Sequence, residues 1–516
     1  MFHFIPAWYQ TDRPWYDATT PWYRGVSPFT LDDTINQLQM FQKVEEQTSL
    51  VLLNYMPNLR YFLHRYDLFE VPVWSVFDQI QQIENVETTL LDFKAFAWPK
   101  GVEFIYTPFL VAVRKNNEPF AYIEFGEAAH LIHITFLEEG VSSKRLIFDD
   151  RGFLSSILYY DKDGREAYQD YLNLVGEWQI RETISSQKIT VNPNARHRFK
   201  EAEYASMEAL IAEKVEEYVS SIPSTDILIT ASHPQHNSLI LAAKQRKKVI
   251  LSYFGNRYPL GDLAAVQQDL KQADLVLTDT RKTQEKLLPH ASSSVEHLSL
   301  FDARLSLGKS QRFRELFVYL LIDPLSEESL LQVLEIFFHA MTENEHIHLK
   351  LISYKTDVAQ QDEKKAWLAS LLEGFESLFF DFVEEEEADD FEEEEEDEER
   401  IEKRVSLEFL YSDLAIMESL ETSRIIVDVS DDPDLYTQIA GISTGIPQIN
   451  RVETEFIEHL KNGYILSDIK DLPDALDYYL TGLSHWNESV MYAAQKIVAY
   501  TSGSLVEKIK NSVAYE

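Results

Sequence analysis

Residues 425–449, IIVDVSDDPDLYTQIAGISTGIPQI, constrain the fold of this chain more tightly than any other stretch. Residues 425–429 are a short apolar run of branched side chains, the pattern of a parallel strand buried on both faces. The following periodic segment ends at Gly445, ahead of Pro447 and a second apolar run, so the stretch predicts strand, short helix and strand. In an open parallel sheet, ligands lie beyond the carboxyl ends of the strands. The turn 430–434, with Asp431, Asp432 and Asp434, is therefore the expected ligand-facing position.

The same alternation runs through the rest of the chain and is interrupted once. Strands are expected at 3–6 and 51–53, with a helix over 31–46 between them capped by Thr30. From about residue 90 the period drops to two. Runs at 104–107, 109–113, 121–125, 132–137, 145–149 and 155–160, separated by turns such as Lys115-Asn116-Asn117 and Asp161-Lys162-Asp163-Gly164, predict an antiparallel meander. A helix over 165–174 and a strand pair over 178–191 follow. Helical spacing returns at 200–219, then strands at 226–230, 248–253 and 275–278 and a helix over 281–288 complete a first α/β domain.

After a crossover at 296–308, a second α/β domain is expected from strands at 316–322, 348–353, 405–409 and 425–429 with helices over 327–341 and 364–378. An acidic tract fills 384–399, and 472–510 reads as helices. The fold class is thus α/β, with two Rossmann-like domains: 1–88 with 199–300, and 301–516. An antiparallel sheet at 89–198 is inserted in the first.

A chain of 516 residues exceeds one hydrophobic core, and its 45% hydrophobic residues can build several. No run approaches the ~18 apolar residues of a membrane span, and MFHFIPAWYQ lacks the features of a signal peptide, so a cytoplasmic location is expected. The absence of cysteine excludes disulfides, thiolate catalysis and cysteine-bound metals. A formal charge of −39 argues against nucleic acid as a partner. The acidic tract reads as a solvated loop, with contact to a basic partner as its functional alternative.

Gly445-Ile446-Pro447, Asn462-Gly463-Tyr464-Ile465-Leu466, the segment 474–480 and Trp486 close the second domain. Two sequential α/β domains with this ending resemble the GT-B glycosyltransferases. The inserted meander is similar to the extended-sheet domain of the enzymes that glycosylate serine-rich repeat adhesins. The opening FIPAWYQ, the later PWY, the insertion and the element order resemble more closely a non-enzymatic family, the first of the three accessory Sec system proteins that help export those adhesins in Gram-positive bacteria. The resemblance implies a GT-B-like fold and a cytosolic complex with the other two accessory Sec proteins. It also implies proximity to the accessory Sec translocase motor and a serine-rich repeat adhesin as the exported substrate, and it leaves contact with the inner face of the cell membrane open.

Retaining GT-B enzymes hold the diphosphate of a nucleotide-sugar with an Arg and a Lys after the first strand of the second domain. Backbone amides of a Gly-rich turn ahead of a helix complete the site. Carried onto this sequence, the basic positions fall on Asp323 and Glu328. The two donor-site glutamates fall on Asp432 and Ala440, and Pro433-Asp434-Leu435-Tyr436 replaces the Gly-rich turn. A diphosphate facing three aspartates in a partly desolvated turn would meet repulsion on the order of several kcal/mol. The expectation is a scaffold with no catalytic residue, no cofactor and no metal. The alternatives are an active glycosyltransferase modifying Ser/Thr-rich adhesin and a carbohydrate- or peptide-binding module.

Three further features call for a reading. Gly441-Ile442-Ser443-Thr444-Gly445 matches the G-x-S-x-G nucleophile elbow, but Ser443 follows a helix and precedes a strand, the reverse of the order an elbow requires. Histidine pairs at 130/133, 233/236 and 346/348 lack the H-E-x-x-H pattern and read as solvated or core histidines; the alternative is at His233, which follows the strand at 226–230, where a GT-B acceptor base could lie. The loop after the first strand carries Trp8, Tyr9, Trp15, Tyr16, Trp22 and Tyr23 with Arg13 and Arg24. It reads as a satellite cluster packed under the loop or as a platform for a partner, a glycan or a Ser/Thr-rich peptide.

Overall fold

Two parallel sheets and one antiparallel sheet carry the chain in a computed structural model. It describes residues 1–10, 13–17, 19–24, 32–84, 86–261, 263–298, 307–355, 358–372, 404–410, 413–498 and 501–514. The described residues between Met1 and Leu298, with those from Val506 onward, form one compact unit; those from 307 to Leu505 form the other.

The first parallel sheet has seven strands, in the spatial order Val295–His297, Leu275–Thr278, Lys248–Tyr253, Ile227–Ala231, Phe2–Ile5, Thr48–Leu52 and Val73–Ser75. Strand order reverses between Phe2–Ile5 and Ile227–Ala231, which pair in parallel through Phe2 with Ile227 and Ile5 with Thr230. Such a switch point is where the two flanking loops splay apart and a crevice opens. All four residues of Phe2–Ile5 are buried, as a central parallel strand requires. The helix after it is Asp33–Lys43, capped by Asp32, whose carboxylate accepts from the Ile35 amide at 2.9 Å. The cap is therefore two residues later than expected, and Thr30 lies outside the described residues.

Between Val73–Ser75 and Ile227–Ala231 the chain builds a ten-stranded antiparallel meander from Val102–Tyr106 to Glu203–Tyr204. The helix expected over 165–174 is instead the strand Glu166–Leu172. The turn at Asp161 to Gly164, with Gly164 at φ +77°, reverses the chain. Residues of good helical composition are thereby laid between Phe153–Tyr160 and Trp178–Thr183, where ladder pairing on both sides overrides propensity.

The second parallel sheet repeats the logic of the first, in the order Val405–Phe409, Ile347–Ser353, Leu316–Leu321, Ser423–Asp428, Gln448–Asn450, Gly463–Ile465. Its switch point lies between Leu316–Leu321 and Ser423–Asp428. Residues 425–449 lie in the predicted unit: Ser423–Asp428, the helix Leu435–Thr444, and Gln448–Asn450 in parallel register. The helix expected over 364–378 is Val358–Leu372, because its first turns are polar and offer no apolar period. The acidic tract 384–399 and the end of that expected helix lie outside the described residues. No described helix is long and apolar enough to cross a membrane.

Candidate functional site

The turn after Ser423–Asp428 is organised by two carboxylates of its own. Asp428 accepts from the Ser430 amide at 3.1 Å, the Ser430 hydroxyl at 2.6 Å and the Asp434 amide at 2.8 Å. Asp434 caps Leu435–Thr444, accepting from the Thr437 amide at 2.7 Å and the Thr437 hydroxyl at 2.6 Å. Backbone N–H groups at a helix amino terminus are a ready anion site. Here the amides of residues 430, 434 and 437 are directed at the chain's own carboxylates.

Across the switch point the network continues. The Tyr354 hydroxyl lies 2.6 Å from that of Thr437 and 2.7 Å from that of Tyr319, whose residue is fully buried in the strand Leu316–Leu321. With the Thr437 hydroxyl donating to Asp434, a donor chain runs from Tyr319 through Tyr354 and Thr437 to the carboxylate. Asp323, after Leu316–Leu321, accepts from the Ser353 hydroxyl and the Tyr354 amide, each at 2.7 Å. Burial lowers the Lys364 ammonium, with the charge of Asp323 opposing the shift and that of Lys355 adding to it.

Of the four positions aligned with a donor site, Asp323 belongs to this network. Glu328 is exposed in the first turn of Glu327–Glu343, Asp432 is exposed in the turn, and Ala440 is buried beside Tyr319, Leu321 and Ile426. Asp428, the centre of the arrangement, is not among the sequence candidates, because an aspartate ending an apolar run reads as the edge of a strand. Its signal is the Asp-x-Ser spacing that lets a carboxylate close onto the amide two residues on.

The G-x-S-x-G segment is packing. Ser443 is buried in the last turn of Leu435–Thr444, and Gly445 ends the helix at φ +74°. A Cβ on Gly441 would stand 2.4 Å from Nε2 of Gln448 and 2.7 Å from Cδ1 of Ile426, so glycine there lets helix and strand approach.

Burial raises the Asp434 carboxyl; the Thr437 bonds hold it down, and the charge of Asp428 raises it further. A carboxyl raised on folding binds its proton more tightly in the folded state. Its effect is therefore a loss of stability as pH rises from its unfolded value through the folded one. Asp434→Asn, which keeps a capping oxygen, is expected to remove that loss and to be at least as stable as the parent at pH 7, with the difference vanishing below about pH 3.8. Asp434→Ala should lose about 1 kcal/mol of cap at the acidic pH and less than that at pH 7, where it too removes the ionisation loss. Urea unfolding at the two pH values reads both, and an Asn variant less stable than the parent at pH 7 would refute the assignment.

At the switch point of the first sheet, two of the six loop aromatics are buried, three are half-buried and one is exposed. Trp15 and Tyr16 are buried, Tyr16 stacks on Tyr55 at 5.6 Å, and Tyr9 packs edge-on to Trp15 at 5.1 Å. Trp8 donates to Asp32 at 2.8 Å, tying the loop to the helix cap. Arg13 donates to Glu182 at 2.6 Å and Gln169 at 3.1 Å and lies 4.0 Å over the Tyr16 ring. Tyr23 donates to Glu124 at 2.7 Å, with Arg24 5.4 Å from its ring. Trp22, 45% exposed, is the loop tryptophan that a partner could reach. The six aromatics thus divide between an interior cluster and the Trp22–Tyr23 end; they do not form one platform.

His236 donates through Nε2 to the Ala231 carbonyl at 2.9 Å, leaving Nδ1 to accept from the Tyr9 hydroxyl at 2.7 Å. Burial depresses it to about 3 and His233 to about 4, so both imidazoles are neutral at physiological pH. His130 lies 2.7 Å from Asn58, and His133 is buried 3.8 Å from Glu124. Among the described residues, no cluster of three or more His, Asp or Glu side chains is arranged to hold a metal.

Residues 1–514 match the family model for accessory Sec system protein 1. The protein of that name from Streptococcus gordonii is 37% identical over 98% of both chains. A crystal structure of accessory secretory proteins 1, 2 and 3 from Streptococcus pneumoniae contains a chain 35% identical to this one; it superposes with a TM-score of 0.84 over 100% of this chain and 99% of its own. The pneumococcal O-GlcNAc transferase GtfA, solved with UDP and GlcNAc, shares the fold at 12% identity, with a TM-score of 0.68 over 100% and 99% of the two chains.

Proposed function

The chain belongs to the family of accessory Sec system protein 1, and from that premise we propose that it is a non-catalytic GT-B-like adaptor in a cytoplasmic export complex. Its partners in this reading are the other two accessory Sec proteins, as in the pneumococcal crystal structure that holds proteins 1, 2 and 3. The complex serves export of serine-rich repeat adhesins through the accessory Sec motor at the inner face of the membrane. The observation that carries the absence of catalysis is the turn 430–437, whose amides are bonded to Asp428 and Asp434. A diphosphate entering there must displace two carboxylates and then sit beside them, which is unfavourable on the order of several kcal/mol.

Calorimetry with UDP-glucose and UDP-N-acetylglucosamine is expected to show no saturable heat up to about 5 mM, a range that leaves no useful donor affinity. Transfer or hydrolysis of either donor that is lost on changing Asp428 or Asp323 would overturn the proposal. For the assembly, the tagged chain co-expressed with the other two accessory Sec proteins should recover both through gel filtration. Recovery of neither would remove the adaptor reading.

A further inference from the structure

A groove of about 490 Å3 runs along the second unit between the helices Glu327–Glu343 and Leu472–Leu480. Its walls are two helix faces. Glu335, His339 and Glu343 recur at four-residue spacing on one, and Pro473, Asp477 and Thr481 on the other. Residues four apart share a face, and eight residues of helix make the groove about 12 Å long. Its floor is apolar: Ile336, Ala340 and Ile347 on one side and Leu476 and Leu480 on the other belong to the hydrophobic core of this unit or pack on it. Ala340, the smallest side chain in the lining, leaves room for a larger residue to seat over it. An apolar trough two turns long and walled by two helices has the shape that takes the apolar stripe of a third helix.

The rim selects which helix. Glu335, Glu343 and Asp477 stand exposed along it, and no Lys or Arg is among the described residues that line the groove. The His339 imidazole, 3.7 Å from Glu343, adds positive charge only in its protonated form. The nearby Arg404 is buried, and its guanidinium donates to the carbonyls of Met341, Asn344 and Ile347, so it serves the end of the helix rather than the rim. Such a rim attracts Lys and Arg, whose aliphatic stems can lie on the apolar floor while their charged heads meet the carboxylates. It repels an anionic lipid surface or a nucleic acid. A second copy of this chain, at a formal charge of −39, and the chain's own acidic tract at 384–399 have the wrong sign as well.

We propose that this groove docks a cationic amphipathic helix of another protein. Branched apolar residues at i, i+3 or i+4 and i+7 of that helix enter the groove, with Lys or Arg on either side of them. The assignment rests on the groove alone and holds whether or not the chain assembles with the other accessory Sec proteins.

Fluorescence anisotropy on the full chain tests it with two labelled helical peptides that carry the same leucine stripe, one flanked by lysines and the other by glutamates. The lysine helix is expected to bind at about 10–100 μM and the glutamate helix not at all. Amide exchange in 335–344 and 473–481 should slow when the lysine helix is bound. Glu335→Lys with Glu343→Lys changes exposed side chains and spares the fold; it should weaken the lysine helix about tenfold and admit the glutamate helix. Glu84→Lys with Glu87→Lys, also exposed and in the first unit, makes the same change in net charge and should leave both affinities within about twofold. No saturable binding of the lysine helix up to about 1 mM would overturn the proposal. So would equal weakening by the two charge reversals, the mark of attraction to the acidic chain as a whole, or exchange protection confined to other segments.

Discussion

Gly463→Ala is expected to destabilise the second unit by about 3 kcal/mol or more, the upper end of what one added methyl does. A Cβ there would stand 2.4 Å from the Gln448 carbonyl oxygen and 2.3 Å from Cγ2 of Ile457. Neither neighbour can yield cheaply. Gln448 is the strand partner of Gly463, so moving its carbonyl breaks the parallel pairing, and Ile457 is fully buried. Asn462, also buried, fixes the approach by donating to the Phe456 carbonyl at 2.8 Å and accepting from the Glu458 amide at 2.9 Å. Gly482→Ala is the matched control, because no atom lies within 4 Å of its added Cβ. Hydrogen exchange across Gly463–Ile465 reads the unit locally, which matters in a chain whose units need not unfold together. Protection equal to that of the parent would refute the steric account.

Asp33→Ala should destabilise the first unit by about 3 kcal/mol, the lower end for breaking a buried pair, because it takes from the half-buried Arg257 the carboxylate that both its terminal nitrogens bond and leaves the charges of Asp32 and Asp279 to compensate in part. Asp33 is fully buried and receives both terminal nitrogens of Arg257, Nη2 at 3.0 Å, together with the Ser252 hydroxyl. Arg257 also donates through Nε to the Ser232 carbonyl at 3.0 Å, so the ion pair spans the switch point of the first sheet. Removing both charges together, as Asp33→Ala with Arg257→Met, should recover most of the loss, since the penalty belongs to the orphaned charge and not to the missing attraction. Denaturant unfolding of the four proteins in the cycle measures this. A double variant as unstable as the sum of the singles would place the effect in the shape of the loop.

These two variants show what kind of information each level carries. Asn462-Gly463-Tyr464 was legible as a motif, yet its reason is a 2.4 Å clearance that exists only once Gln448 is laid alongside. Strand and helix alternation was legible because burial on both faces writes itself as apolar runs, and Lys248–Tyr253 and Leu275–Thr278 fall where those runs lie. Glu166–Leu172 was not, since its neighbours in the sheet, not its own composition, decide its state. Short strands such as Val73–Ser75 and Val295–His297 hold too few residues for any period to register.

By itself, the amino-acid sequence determined the fold class, because the period of the hydrophobic pattern sets which faces must be buried. It also located the turn at 430–434 at the carboxyl end of a strand, and marked the family through residues scattered along the whole chain. The tertiary structure decided what fills the two switch points. Tyr9 with His236, and Tyr354 with Thr437, are joined across intervals of 227 and 83 residues. Asp428 becomes the acceptor of a turn only when the strand brings its carboxylate under amides two and six residues on. Charge and periodicity are properties of neighbours in sequence. Which donor meets which acceptor is a property of loops folded against one another, and only that pairing turns a stretch that reads as a ligand site into one already bonded to itself.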